Sequence, residues 1–172
     1  PSRLLVNPLG SHGRVRNTPP PPLVDGRMDL DDALAFARTT RQSVMATTRR
    51  DSRPQLSNVL HWVADDGVIR VSTTAGRAKH RNLARDPWAA LHVTRDDFFA
   101  YVVLEGSVEL APIIEAPDDP GVDEHIEHYR VVVGEPDDWD AFRASLAADR
   151  RSMVRFTASR AYGMGDLAKP DG

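Results

Sequence analysis

The stretch "FFAYVVLEGSVELA", Phe98 to Ala111, is rich in β-branched and aromatic residues and carries one glycine, Gly106, near its middle. Glycine weakens a strand interior and marks a bulge or a close backbone approach. A bulge bends a long strand, and a bent long strand carries its sheet toward closure. The stretch therefore predicts a small antiparallel barrel. Five further runs of β composition surround it: "SVMATT" from Ser43, "PQLSNVLHWVA" from Pro54, "VIRVSTT" from Val68, "WAALHVT" from Trp88 and "SMVRFTASRAYG" from Ser152. The turn residues of "RRDSRP" and "ADDGV" join the first three, so Ser43 to Thr74 reads as an antiparallel meander. Together the runs predict six strands.

Helices are expected at the margins. In "MDLDDALAFARTT" Asp29 can cap a first turn, and Leu30, Ala33, Leu34 and Ala37 recur at helical spacing. A short helix, "RAKHRNLARD", joins strands three and four and stops near Pro87. "VDEHIEHYRVVVG" reads as a helix, and "EPDDWDAFRASLAADR" as another starting near Pro136. Residues 1–28, with the run Pro19 to Pro22, read as an arm or linker, 29–166 as one domain, and 167–172 as a tail.

Length and composition suit a single globular domain: 172 residues, 41% hydrophobic and 27% charged, with a formal net charge of -3. The absence of cysteine excludes disulfides, thiolate metal sites and thiol nucleophiles. No apolar run approaches a membrane span, and the opening "PSRLLVNPLG" is too short in apolar residues for a signal peptide, so the expected location is cytoplasmic. The net acidity argues against a nucleic-acid partner.

Against that acidity, "TTAGRAKHRNLARDP" is locally basic. Between Gly76 and Arg85 it carries Arg77, Lys79, Arg81 and Arg85 and no acid. A helix entered from a strand presents unpaired N–H groups and the positive end of its dipole, which together favour an anion. Thr73 and Thr74 add hydroxyl donors, Gly76 lets the chain turn closely, Arg77 offers a planar fork and Lys79 a point charge. The set suits a phosphate. The competing reading is a solvated basic face, since Arg77, Arg81 and Arg85 share one side of the helix.

These residues also carry a resemblance. "RPQLSNV", "VSTTAGRAKHRNLARDP", "VLEGSVEL", and "DWDAFRASLAADRRSM" leading to "YGM" resemble the split β-barrel flavin and deazaflavin proteins related to pyridoxamine 5'-phosphate oxidase, over about Asp29 to Met164. Within that superfamily the chain looks most like the actinobacterial group that binds the deazaflavin coenzyme F420 rather than FMN. The resemblance implies an FMN-binding split barrel, mainly β with flanking helices, acting as a homodimer on a small-molecule hydride acceptor. Oxidases of the superfamily commonly end the strand-to-helix segment in Ser-Arg-Lys, whereas this chain has Arg77-Ala78-Lys79, the form associated with deazaflavin binders. By resemblance Arg77 and Lys79 hold the cofactor phosphate, Ser72, Thr73 and Thr74 line the same pocket, and Pro54, Gln55, Ser57 and Asn58 lie near the ring. An FMN-binding oxidase and a non-enzymatic cofactor or haem carrier are the alternatives.

Other constellations point elsewhere or nowhere. His125 and His128 stand at i, i+3 with Glu124 and Glu127 nearby, which reads as a charged, solvated helix face rather than a metal site. His61, His80 and His92 read as structural histidines, with His61 or Tyr101 as conceivable proton donors. Phe98, Phe99 and Tyr101 fit an acceptor pocket or dimer and core packing equally well. No GxSxG elbow, GxxxxGK[ST] loop or GxGxxG fingerprint occurs.

Overall fold

The computed structural model describes residues 27–165; the tail at 167–172 and nearly all of the N-terminal arm lie outside them. The first helix, α1 (Leu30–Ala37), begins at Asp29, whose carboxylate accepts from the N–H groups of Asp31 and Asp32 at 2.9 and 3.1 Å. These are two donors that a helix start otherwise leaves unpaired. Ala33, Phe36 and Ala37 turn inward and join the barrel core.

Seven strands follow: β1 (Gln42–Thr48), β2 (Pro54–Leu60), β3 (Trp62–Val63), β4 (Ile69–Thr74), β5 (Trp88–Thr94), β6 (Tyr101–Leu110) and β7 (Arg151–Met164). They form one antiparallel sheet in the order β2-β1-β5-β6-β7-β4-β3. The expected count of six is corrected to seven because "PQLSNVLHWVA" divides at His61. Up to Leu60 this run pairs with β1, and from Trp62 it pairs with β4. At the junction the His61 N–H donates to the Arg41 carbonyl at 2.9 Å, and the ring Nε2 lies 2.9 Å from the Ala37 carbonyl. The two outermost strands of the sheet are thus consecutive in the chain. That continuity curls the sheet into a half-barrel.

The bulge expected at Gly106 lies on the β6–β7 ladder, where the register shifts between Glu105 and Gly106. Glu105 faces Arg160 and Gly106 faces Ala158, so Ser159 is the extra residue. A Cβ on Gly106 would meet the Thr157 carbonyl oxygen at 2.0 Å, so the close approach of the two backbones requires glycine. Inward residues alternate along β1, β4 and β5, and Met45 on β1, Val71 on β4, Leu91 on β5, Leu104 on β6 and Phe156 on β7 are fully buried.

Three more helices complete the architecture. Helix α2 (Ala78–Arg85) joins β4 to β5 and buries Leu83 against the barrel. Helices α3 (Val122–Val132) and α4 (Trp139–Ala148) lie between β6 and β7 and share a second, smaller core of Ile114, Val122, Ile126 and Leu146. Helix α4 starts at Trp139 rather than near Pro136, because Asp138 caps it by accepting from Asp140 and Ala141 at 2.8 and 3.1 Å. The rings of Tyr129 on α3 and Phe142 on α4 pack in a tilted contact with centroids 4.5 Å apart. Among the described residues no helix is long and apolar enough to cross a membrane.

Candidate functional site

Strand β4 alternates strictly, so Val71 and Thr73 face the barrel interior while Arg70, Ser72 and Thr74 face outward. Helix α3 lies over that outward face, held by Glu124. Its carboxylate accepts from Arg70 Nε at 2.9 Å and from Arg155 Nη2 of β7 at 2.9 Å. Burial raises the Glu124 pKa, but the Arg155 and Arg70 hydrogen bonds outweigh it and hold the carboxyl below its usual range. This clamp positions the helix, and with it His125 and His128.

Between α3, α4 and the sheet lies a cavity of about 300 Å³. Asn58, Ser72 and Lys79 border it from the barrel side; His125, Tyr129 and Ser145 border it from the helices. Lys79 sits in the first turn of α2, and the cap residue Arg77 makes no side-chain capping bond to the N–H groups of that turn. No carboxylate pairs with the Lys79 ammonium among the described residues. Burial, then the charges of Arg77 and Arg151, hold its pKa below the usual lysine range. A half-buried cation at a helix start, depressed by other cations, gains most from an anion. Such an arrangement can take an anion of the phosphate or carboxylate kind.

Three of the nine residues expected at the site therefore share one cavity, Asn58, Ser72 and Lys79, while Pro54 is exposed at the start of β2. Arg77 is exposed at the helix start, beside the cavity rather than on its wall. Thr74 is half-buried on the outward face of β4 and its carbonyl accepts the Arg77 N–H at 3.0 Å. Thr73 is buried in the barrel interior and its hydroxyl has no partner among the described residues. Gln55 and Ser57 occupy the opposite face of β2 from Asn58. Gln55 accepts from Thr47 at 3.1 Å and donates to Ser57 Oγ at 2.7 Å, while Asn82 of α2 donates to the same Thr47 hydroxyl at 3.1 Å. That chain of side chains ties α2 to the first hairpin. Gln55 also borders a separate cleft with Arg49, Arg50, Arg81 and Arg85.

Asn58 and Leu60 border a second, open cleft of about 660 Å³ on the outer face of β1, β2 and β5, together with Val44, His92, Thr94 and Phe98. The two hollows meet along β2. Phe98 and Phe99, at the β5–β6 turn, are 79% and 76% exposed, which excludes core packing for both.

His125 and His128 overturn the expectation of a solvated face, for both are buried against the sheet. Their flanking glutamates suggested solvation, but Glu124 points to the arginine clamp and leaves the histidine face inward. His125 Nδ1 lies 3.1 Å from the Gly121 carbonyl and His128 Nε2 lies 3.4 Å from the Leu60 carbonyl. Burial chiefly lowers both pKa values, that of His128 to about 4, with the neighbouring His125, His61 and Arg151 adding to it. No group of three or more metal-ligating side chains occurs among the described residues. Tyr129, Phe142, Ser145 and Arg151 also border the cavity and carried no site signal in the sequence; only the contact of α3 and α4 with the sheet brings them there.

Residues 30–165 match the family model described as pyridoxamine 5'-phosphate oxidase. Among solved structures, the chain is similar to a conserved hypothetical protein from Mycobacterium tuberculosis, at 23% identity over 84% of this chain and 89% of that one, TM-score 0.65. It is similar to an F420 reductase at 22% identity over 74% and 93%, TM-score 0.57. It is also similar to a heme binding protein from Mycobacterium smegmatis at 20% identity, TM-score 0.59, with 83% of this chain covering 56% of that one. Identities this low establish a shared fold.

Proposed function

The chain belongs to the pyridoxamine 5'-phosphate oxidase family, and on that premise we propose that it is a coenzyme F420-dependent oxidoreductase that moves a hydride between the deazaflavin and a small planar organic acceptor. The observation that carries the reading is Lys79: a half-buried cation without a carboxylate partner, at the start of α2 and on the wall of a cavity shared with Ser72 and Asn58. Those residues fit a phosphorylated cofactor. Lys79 and the first-turn N–H groups take the phosphate, with Arg77 reaching it from the rim and Ser72 and Thr74 donating from β4. Because Asn58 and Leu60 border both hollows, the planar ring belongs in the open cleft along β2. Thr73, Gln55 and Ser57 act behind the site, in the strands and the hydrogen-bonded chain that hold α2 in place.

When bound, the deazaflavin supplies the hydride. The protein's own groups bind and orient: the cationic turn fixes the tail, β2 fixes the plane of the ring, and α3 with α4 exclude water from the tail. The F420 reductase neighbour and the Arg77-Ala78-Lys79 sequence favour deazaflavin over FMN. Leu56 and Leu60, 64% and 40% exposed on the outer face of β2, support a homodimer in which a second copy covers the open cleft. Titration of the purified protein with F420 and with FMN, followed by fluorescence quenching, tests the reading. Saturable binding of F420 with little binding of FMN supports it; preference for FMN, or no binding of either, overturns it.

A further inference from the structure

A hydride alone does not complete the reduction of a planar organic acceptor. It adds with its electron pair to a carbon of a conjugated carbonyl, a π pair moves onto the carbonyl oxygen, and that oxyanion needs a proton. The two donors conceivable from the sequence do not stand in the open cleft. His61 is fully buried with its ring Nε2 on the Ala37 carbonyl, and Tyr101 is not among the residues that border the cleft. His92 does border it, and it is the only imidazole there. Imidazole is the side chain suited to give and regain a proton near neutral pH. The charged groups on the same wall are Arg95, which pairs with Asp97 at 2.9 Å, and Asp96.

The strand register fixes where His92 stands. Asn58 of β2 faces Val44 of β1, and Val44 faces His92 of β5, so the three form one row across the outer face. The ends of the row are two strand spacings of about 4.8 Å apart. Val44 is an apolar floor between two polar groups, with Asn58 at the end that adjoins the Lys79 cavity and His92 at the other. Tyr101 of β6 packs on the imidazole with ring centroids 5.3 Å apart, and His92 makes no hydrogen bond or ion pair among the described residues. Both ring nitrogens are therefore left for a ligand. We propose that His92 is the catalytic proton donor of the reduction, and that it favours acceptors whose reduction passes through an oxyanion, conjugated carbonyl compounds such as enones and quinones. The imidazolium N–H gives its proton to the acceptor oxygen as the new C–H bond forms, and the neutral ring regains a proton from water. One hydride and one proton account for the two hydrogens gained by the acceptor, and the coenzyme is oxidised by two electrons. The proposal rests on the reading of the protein as a hydride-transferring oxidoreductase.

The test follows single-turnover reduction of menadione and of 2-cyclohexen-1-one by reduced F420 on the full chain, from about pH 5 to 8, the range of imidazole chemistry. The unsubstituted protein slows as pH rises and the imidazolium is lost. His92→Gln still binds F420, but its rate at the acid end falls about 100-fold and its profile is flat. Added imidazole restores part of the rate to His92→Ala, and Tyr101→Phe, which keeps the ring behind His92, keeps the profile. A second readout needs no turnover: 4-nitrophenolate, a planar oxyanion, binds the unsubstituted protein about tenfold more tightly than His92→Gln in an absorbance titration, with and without F420. A profile that is flat or survives His92→Gln, or one lost in Tyr101→Phe instead, overturns the proposal. Where neither acceptor is reduced, 4-nitrophenolate decides: dependence on His92 supports the proposal, and no binding or equal binding to the variant overturns it. Failure of F420 to bind overturns the proposed function and the hydride step with it, while 4-nitrophenolate binding that depends on His92 then leaves the oxyanion site standing.

Discussion

Arg70 Nε and Glu124 Oε1 lie 2.9 Å apart, joining the outward face of β4 to the residue that precedes His125 in α3. Both side chains are 16% exposed, so the pair is shielded from most solvent screening. Glu124→Gln removes the carboxylate that Arg70 and Arg155 share and leaves each only its more exposed partner, Asp66 and Glu109. It is expected to lower stability by about 1–3 kcal/mol, read from urea unfolding. A loss in the range of an exposed pair, under about 0.5 kcal/mol, would show that the clamp does not hold the helix.

Lys79→Ala is expected to weaken F420 binding by about 1.5–3 kcal/mol, the range for a hydrogen bond to a charged group. Arg77→Ala, at the exposed rim, has a smaller effect that fades as salt is added. Fluorescence titration of both variants at two salt concentrations measures this. Unchanged affinity for Lys79→Ala removes the residue from the phosphate site.

Stability should fall in mild acid. Folding lowers the pKa of His128 from the ordinary 6.5 to about 4, chiefly by burial, so between these values the unfolded chain binds the proton and the folded chain does not. The contribution is complete above pH 6.5 and declines by about 1.4 kcal/mol for each pH unit below it, until the folded ring protonates near 4. His61 and His125, also lowered by burial, act in the same direction. Urea midpoints between pH 7.5 and 4.5 test this, with His128→Gln expected to flatten the curve. A midpoint independent of pH over that range contradicts it.

Gly106→Ala places a methyl group 2.0 Å from the Thr157 carbonyl oxygen, and the obstacle is backbone that cannot turn aside. The substitution should cost at least about 2 kcal/mol, comparable to severe overpacking. Gly76→Ala, with open space around the added carbon, should leave the unfolding midpoint nearly unchanged. Equal midpoints for the two variants would mean that the bulge does not need glycine.

A homodimer should sediment at twice the chain mass at micromolar concentration, and Leu60→Glu on the outer face of β2 should shift it to monomer. Leu60 is 40% exposed in the single chain, so the substitution disturbs association more than folding. A monomer for the unsubstituted protein would remove the second copy from the proposed site.

The strands, the capping of α1 by Asp29, the bulge at Gly106 and the short basic helix after β4 were legible in the sequence because each depends on residues close in the chain: alternation, a carboxylate two or three positions from its N–H partners, a glycine within a β run, a turn before a helix. The family was legible in the same way, from local motifs around Lys79 and along β2, β6 and α4. The break at His61 was not. Its cause lies in two carbonyls of other segments, at Ala37 and Arg41, and no pattern within "PQLSNVLHWVA" announces them. The placement of His125 and His128 was misread for a related reason. Glutamates beside them in the sequence signal a wet face until two arginines from β4 and β7 take up Glu124 and turn the face inward. Periodicity tells which side of a strand or helix a residue occupies. What that side meets depends on contacts between segments far apart in the chain, so only the folded sheet with its helices made one cavity of Asn58, Ser72, Lys79 and His125.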